Sequence, residues 1–177
     1  HLFVIERPGR IYVITNVASA TPEKVLFLDI NTQVLSDNEL GMKGMAFHPG
    51  YATNRLFFVT YCTTQGTVRL SRFERSTNDY HYADPATELV LIEQTNNGTI
   101  HNIDEVTFGP DGYLYVGFGD EGQVGDTQTN SQTITKNFWS SILRIDPDKR
   151  PGNLEPNPHP AVRTNEAGLA YYSVPTN

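Results

Sequence analysis

The residues best suited to chemistry stand at the two ends of one stretch, "HNIDEVTFGPDGYLYVGFGD", residues 101 to 120. His101 opens it and Asp120 closes it. Between them, "DEVTFG" and "YLYVGFGD" read as two strands joined by the tight turn "PDG". Antiparallel strands on a tight turn bring their outer ends to one edge. The spacing therefore predicts that His101 and Asp120 lie near each other. A carboxylate beside an imidazole fixes its tautomer and raises its basicity, which suits a general base. The same two residues also read as a surface-loop histidine and a turn former ahead of Glu121-Gly122, and the local sequence leaves both readings open.

The remaining candidates carry less. Asp120, Glu121 and Asp126 in "DEGQVGD" offer oxygen ligands of the kind calcium takes, but their spacing is not that of an EF-hand loop and a solvated acidic turn is expected. His48 in "FHPG" is expected to pack a turn, and His81 and His159 lie in polar, proline-containing turns and are expected to be inert. Cys62 sits within the apolar run "RLFFVTYC"; as the single cysteine it forms no internal disulfide and reads as a buried, unreactive thiol. "NGT" at Asn97 is a formal glycosylation sequon, and Trp139 in "NFWSS" is expected to be packing. There is no phosphate loop, no cysteine–histidine zinc cluster, no GxSxG elbow and no nucleic-acid motif.

The elements that must position His101 and Asp120 are strands. Hydrophobic residues make up 38% of the 177 and charged residues 19%, a globular balance. Aromatics reach 11%, which favours strands over helices. A formal charge of -7 argues against nucleic acid or an anionic membrane as partner. No run of 18 apolar residues exists, so no membrane-spanning helix is expected.

"HLFVIE" and "RIYVIT" flank "RPG" as a hairpin, and "EKVLFLDI" follows as a third strand. "RLFFVTYCTT" and "TVRLSRFER" flank "QG" as a second hairpin, followed by "ELVLIEQT". "WSSILRID" ends the series after the hairpin of residues 104 to 120. The helix candidates are short: "DNELGMK" and "NSQTITKN".

A Leu–aromatic–Val pattern recurs at residues 2, 56 and 114, intervals of 54 and 58, and "AFHPG" and "TFGPD" recur in step with it. An all-β repeat of this length predicts propeller blades, each a four-stranded sheet. The chain then holds about three blades, whereas propellers close with four to eight. The competing reading is a β-sandwich or barrel. The chain begins inside a strand-like run without an initiating Met and ends on "YYSVPTN". Residues 1–177 are therefore expected to be a single partial propeller domain, truncated at both ends.

"GMKGMAFHPGY", "HNIDEVTFGPDGYLYVGFGDEG" and "SSILRIDPD", with "ERPGRIYVI" near the start, together resemble the glucose/sorbosone dehydrogenase family, soluble sugar dehydrogenases that use pyrroloquinoline quinone. The similarity spans residues 1 to about 150 in the family's order. It implies a six-bladed propeller in the full protein, a sugar substrate, a quinone cofactor with calcium, and a periplasmic or secreted location. It implies that His101 is the catalytic base beside the cofactor, that Asp120 supports it, and that Glu39, ahead of "LGMKG", approaches the cofactor. The main cofactor- and calcium-binding elements are expected after residue 177, and no metal ligand is expected within the chain. The electron acceptor is not implied.

Asp104 stands where the family keeps a glycine and Lys43 where it keeps a leucine, so two charges are expected near the same mouth. These departures leave a second class of function open, a non-catalytic propeller that binds protein or carbohydrate. A hydrolytic propeller with a central calcium is a third, but no ring of Glu, Asn and Asp at blade starts accompanies it.

Overall fold

The computed structural model describes residues 1–122, 124–133 and 135–176. Among these the regular secondary structure is almost entirely antiparallel strand. β1 (Leu2–Glu6), β2 (Arg10–Thr15) and β3 (Glu23–Asp29) form one sheet. β4 (Met42–Phe47), β5 (Leu56–Cys62), β6 (Thr67–Glu74) and β7 (Leu89–Thr95) form a second, in that spatial order. β8 (Ile103–Phe108), β9 (Leu114–Phe118) and β10 (Ser141–Ile145) form a third. These are blades of a β-propeller.

The sequence repeat maps onto this order. Its Leu–aromatic–Val pattern falls on β1, β5 and β9, and each pairs with the strand that follows it. Phe47 and Phe108 end β4 and β8, opposite Phe57 and Leu114 of the returning strands.

The stacking of blades explains why "LFFVTYC" is apolar throughout. Successive strand residues point to opposite faces. On β5, Phe57, Val59 and Tyr61 enter one core cluster with Phe27, Leu28 and Ile11 of the first sheet. Phe58 and Cys62 enter another with Ile103, Val106, Leu114 and Val116 of the third. A strand sandwiched by neighbours on both faces needs no polar face. The first interface is aromatic: Phe27 lies 5.0 Å from Phe3 and 5.2 Å from Phe57 between ring centroids. Such offset contacts add about 0.5–1.5 kcal/mol each beyond area burial.

Gly44 lets β4 and β8 come together. A Cβ there would stand 2.7 Å from the carbonyl oxygen of Asp104 and 2.8 Å from Thr60 Oγ1. In that space Thr60 Oγ1 donates to the Asp104 carbonyl at 2.5 Å and accepts the Gly44 N–H at 2.8 Å.

The helix expected over "DNELGMK" does not form. Residues 37–40 make a turn closed by Leu40 N–H on Asp37 O, and Met42 already begins β4. Alternate burial of Met42, Gly44 and Ala46 wins over helical propensity. In "NSQTITKN", residues 130–137, the described residues are in turns and bends rather than helix, and Ile134 lies outside them. Two short helical turns were not foreseen: α1 (Tyr51–Asn54) and a 3-10 turn at Pro85–Thr87. Asp84 Oδ1 caps the latter by accepting the Ala86 N–H at 2.9 Å. Residues 161–163 cover the outer edge of β7, with Glu93 N–H on Ala161 O and Arg163 N–H on Leu91 O.

Candidate active site

β8 and β9 pair from Phe108 opposite Leu114 to Ile103 opposite Phe118. Two further bonds extend the ladder beyond the strands: Gly119 N–H on Asn102 O at 3.0 Å and Glu121 N–H on His101 O at 3.1 Å. The hairpin thus delivers His101 and Asp120 to one edge. His101 Nδ1 lies 2.7 Å from Asp120 Oδ1. The same oxygen accepts the Gly122 N–H at 3.0 Å.

The His101 hydrogen bond, helped by that amide, holds the Asp120 carboxyl below the usual aspartate range, against a smaller opposing effect of burial. An ionised carboxylate takes the Nδ1 hydrogen and leaves the Nε2 lone pair free. The imidazole is 52% exposed, so Nε2 is open to a ligand.

His101 is held in a left-handed backbone conformation, φ 52°. For a residue other than glycine this costs roughly 1–3 kcal/mol and persists only where neighbours enforce it. Both of its backbone groups are bound. Its carbonyl takes the Glu121 N–H, and its N–H donates to Glu39 Oε2 at 3.0 Å. Glu39 is itself tied to the same loop through its N–H on Thr99 O, and neighbouring Asn38 donates to Thr99 Oγ1. The structure thus brings together all three residues singled out from the sequence: His101, Asp120 and Glu39. Glu39, expected on the cofactor side, is engaged with the backbone of His101.

Two further residues hold the site and were not foreseen. Gly119 lies against His101 so closely that a Cβ would overlap the His101 carbonyl. Its signal was the second glycine of "GFGD". Glu121 was expected in a solvated acidic turn and is instead 3% exposed. Its Oε1 accepts both the backbone and side-chain N–H of Asn97, and its Oε2 accepts Asn130 Nδ2 at 3.1 Å. Asn130 Nδ2 also donates to Asp120 O at 2.9 Å. A buried carboxylate needs such donors, and here they brace the Asp120 turn. Asp126 is occupied by the N–H groups of Asn130 and Ser131. Among the described residues no group of three or more His, Cys, Asp or Glu is placed to hold a metal ion.

Asp104 is exposed on β8 and Lys43 half-buried on β4. Among the described residues, the hydrogen-bond partners of the His101, Asp120 and Glu39 side chains are an imidazole, carboxylates and backbone amides, with no Lys or Arg. A cofactor carrying several carboxylates would find an imidazole here flanked by two further carboxylates. These residues alone therefore do not fit such a group.

His48 packs its turn as expected. Its Nδ1 accepts from Gly50 N and Asn54 Nδ2, and its Nε2 lies 3.0 Å from Asp148 beyond β10. His1 and His81 meet at the surface, 2.9 Å apart. Burial pushes the Cys62 thiol up, which suits an unreactive role. Trp139 is 3% exposed and Asn97 is exposed. No helix among the described residues is long and apolar enough to cross a membrane.

Among curated proteins, the chain is 30% identical to HIPL2 protein of Arabidopsis thaliana, over 99% of the chain and 30% of that protein. It is 30% identical to Hedgehog-interacting protein of Mus musculus, over 93% of the chain and 24% of that protein. The chain therefore spans about a quarter to a third of the length of these relatives. Among solved structures, the PQQ-bound aldose sugar dehydrogenase of Streptomyces coelicolor matches 90% of the chain and 45% of its own length, with TM-score 0.67 and 24% identity. The soluble aldose sugar dehydrogenase of Escherichia coli in its apo-form matches 97% and 47%, with TM-score 0.60 and 14% identity. At these identities the structures show a shared sugar-dehydrogenase-like fold. The Glucose / Sorbosone dehydrogenase family model matches residues 1–173, and the chain belongs to that family.

Proposed function

We propose that the chain is part of a sugar dehydrogenase in which His101 is the base and Asp120 its orienting partner. The observation that carries this reading is the 2.7 Å contact between His101 Nδ1 and Asp120 Oδ1, at an exposed edge between blades. In the proposed reaction Nε2 takes the proton of a sugar hydroxyl, and the ionised Asp120 stabilises the imidazolium that forms. Glu39 and the Glu121 N–H hold the base in place from either side of its backbone. By family likeness the hydride acceptor is pyrroloquinoline quinone with calcium, in a periplasmic or secreted enzyme. His101, Asp120 and Glu39 form no complete cradle for a polycarboxylate, so the proposal assigns them the proton and assigns no step on the cofactor to this chain.

The test is sugar-dependent dye reduction by the full-length protein supplied with quinone and calcium. His101→Ala is expected to lower kcat by roughly 10²–10⁴, the range for loss of a positioned base. An active parent whose kcat changes less than tenfold overturns the assignment.

A second reading is a binding propeller without catalysis. Asp104 and Lys43 favour it, as does likeness to a relative whose name records interaction with Hedgehog. Under that reading the full-length protein takes up no quinone at high micromolar concentration.

A further inference from the structure

His101 stands at the start of the third sheet, yet the hold on its backbone begins in the first. Glu39 Oε2, which accepts the His101 N–H, is carried by the turn at residues 37–40. Asn38 in that turn has a left-handed backbone, φ 47°. A backbone so placed keeps its shape only where its neighbours enforce it.

Arg7 supplies that enforcement. It lies between β1 and β2, where Gly9, at φ 100°, closes the hairpin with its N–H on Glu6 O at 3.0 Å. Arg7 Nη2 donates to the carbonyls of Asn38 and Leu40, the residues on either side of Glu39, the latter at 2.8 Å. Its Nε adds a longer bond, 3.3 Å, to the Leu40 carbonyl. Bonds from a charged donor are stronger than neutral ones, and a planar guanidinium fixes direction as well as distance.

The backbone of Arg7 grips the same segment. Its carbonyl accepts the Met42 N–H at 2.8 Å. Gly41 permits the approach: at φ 135°, a Cβ there would stand 2.8 Å from that carbonyl oxygen. The other side of the turn is tied to the loop ahead of His101, by Glu39 N–H on Thr99 O at 3.2 Å and by Asn38 Nδ2 on Thr99 Oγ1 at 3.2 Å. Glu39 therefore stands between a guanidinium fork from the first sheet's hairpin and the loop that carries the imidazole.

We propose that Arg7 is a positioning residue for the proposed reaction: by clamping the Asn38 and Leu40 carbonyls it fixes the Glu39 carboxylate that holds the His101 N–H. Its part in turnover rests on the reading of His101 as the base. Its hold on the His101 backbone does not.

Hydrogen exchange at the His101 amide and sugar-dependent dye reduction, both on the full-length protein, test this. Arg7→Ala is expected to speed that exchange about tenfold and to lower kcat about tenfold, with KM within about twofold. Arg7→Lys keeps the charge and loses the fork, and is expected to fall with it. Arg7 is exposed, so guanidinium ion added at low concentration is expected to rescue Arg7→Ala and not Glu39→Ala. In the Glu39→Ala background, Arg7→Ala is expected to cost less than about twofold more, because both act along one path. Lys24→Ala, which removes an exposed ion pair of the same sheet, is the control for damage to the first blade and is expected to change neither readout. Unchanged His101 amide exchange in Arg7→Ala overturns the clamp, as do full, independent effects of Arg7→Ala and Glu39→Ala. Faster exchange at unchanged kcat, in a parent that His101→Ala inactivates, overturns Arg7's part in turnover. A parent that His101→Ala leaves active overturns the base reading instead, and the exchange measurement alone then decides the clamp.

Discussion

Asp120 Oδ1 sits 2.7 Å from His101 Nδ1 and 3.0 Å from the Gly122 N–H, so one oxygen gathers the imidazole and a backbone amide. The chain reaches this pair by counting: strand, two-ended turn, strand, with the ladder extended by one bond on each side of Asp120.

The lowered Asp120 carboxyl gives a pH prediction. An aspartate whose folded value lies below its unfolded value of about 3.9 stabilises the fold fully above that value and loses the contribution as pH falls through the lower one. Carbon-detected NMR titration should place the Asp120 midpoint below about 3.9. His101→Ala, which removes the largest cause, should move the midpoint upward. An Asp120 midpoint that does not move would separate the two residues.

Glu39 acts on the His101 N–H, so the prediction is a split between its variants. Glu39→Gln retains an acceptor and should keep kcat within about threefold. Glu39→Ala frees a left-handed histidine backbone and should lower kcat about tenfold, since roughly 1.4 kcal/mol is a factor of ten. A purely cofactor-contacting Glu39 would instead change the quinone affinity at unchanged kcat.

Gly119→Ala places a methyl group against the His101 carbonyl. The expected outcome is a loss of about 1–3 kcal/mol in denaturant unfolding, together with loss of activity in the full-length protein. Gly66→Ala is its control for a turn glycine: its Cβ meets nothing within 4 Å, and its φ of 74° leaves backbone strain alone.

Glu121→Ala leaves the Asn97 donors and one of the two Asn130 Nδ2 hydrogens unpaired beneath Asp120. A loss of about 1–3 kcal/mol is expected, with faster amide exchange at Gly122 as the local readout.

The strands and the site pair were legible in the sequence because both follow local rules. "PDG" between apolar runs specifies a hairpin, and a hairpin returns its ends. The repeat at residues 2, 56 and 114 carried the blade order for the same reason. β4 was missed, because "GMKGMAF" has two glycines where a strand shows side chains. Gly44 allows the approach of β8 and Gly41 that of the Arg7 backbone, both tertiary facts. Glu121 was misread for a similar reason: an acidic run looks solvated unless Asn97 and Asn130, distant in sequence, are known to converge on it. His159 looked inert, and its ring stacks on Phe138 while its Nδ1 accepts the Ala161 N–H.

The central claim is that Asp120 takes the Nδ1 hydrogen of His101 and so presents Nε2 as a base. Nitrogen-15 chemical shifts of the His101 ring in the neutral protein measure this directly. The account predicts a protonated Nδ1 and a bare Nε2, with that preference lost in Asp120→Ala. A His101 ring that carries its hydrogen on Nε2 would contradict it.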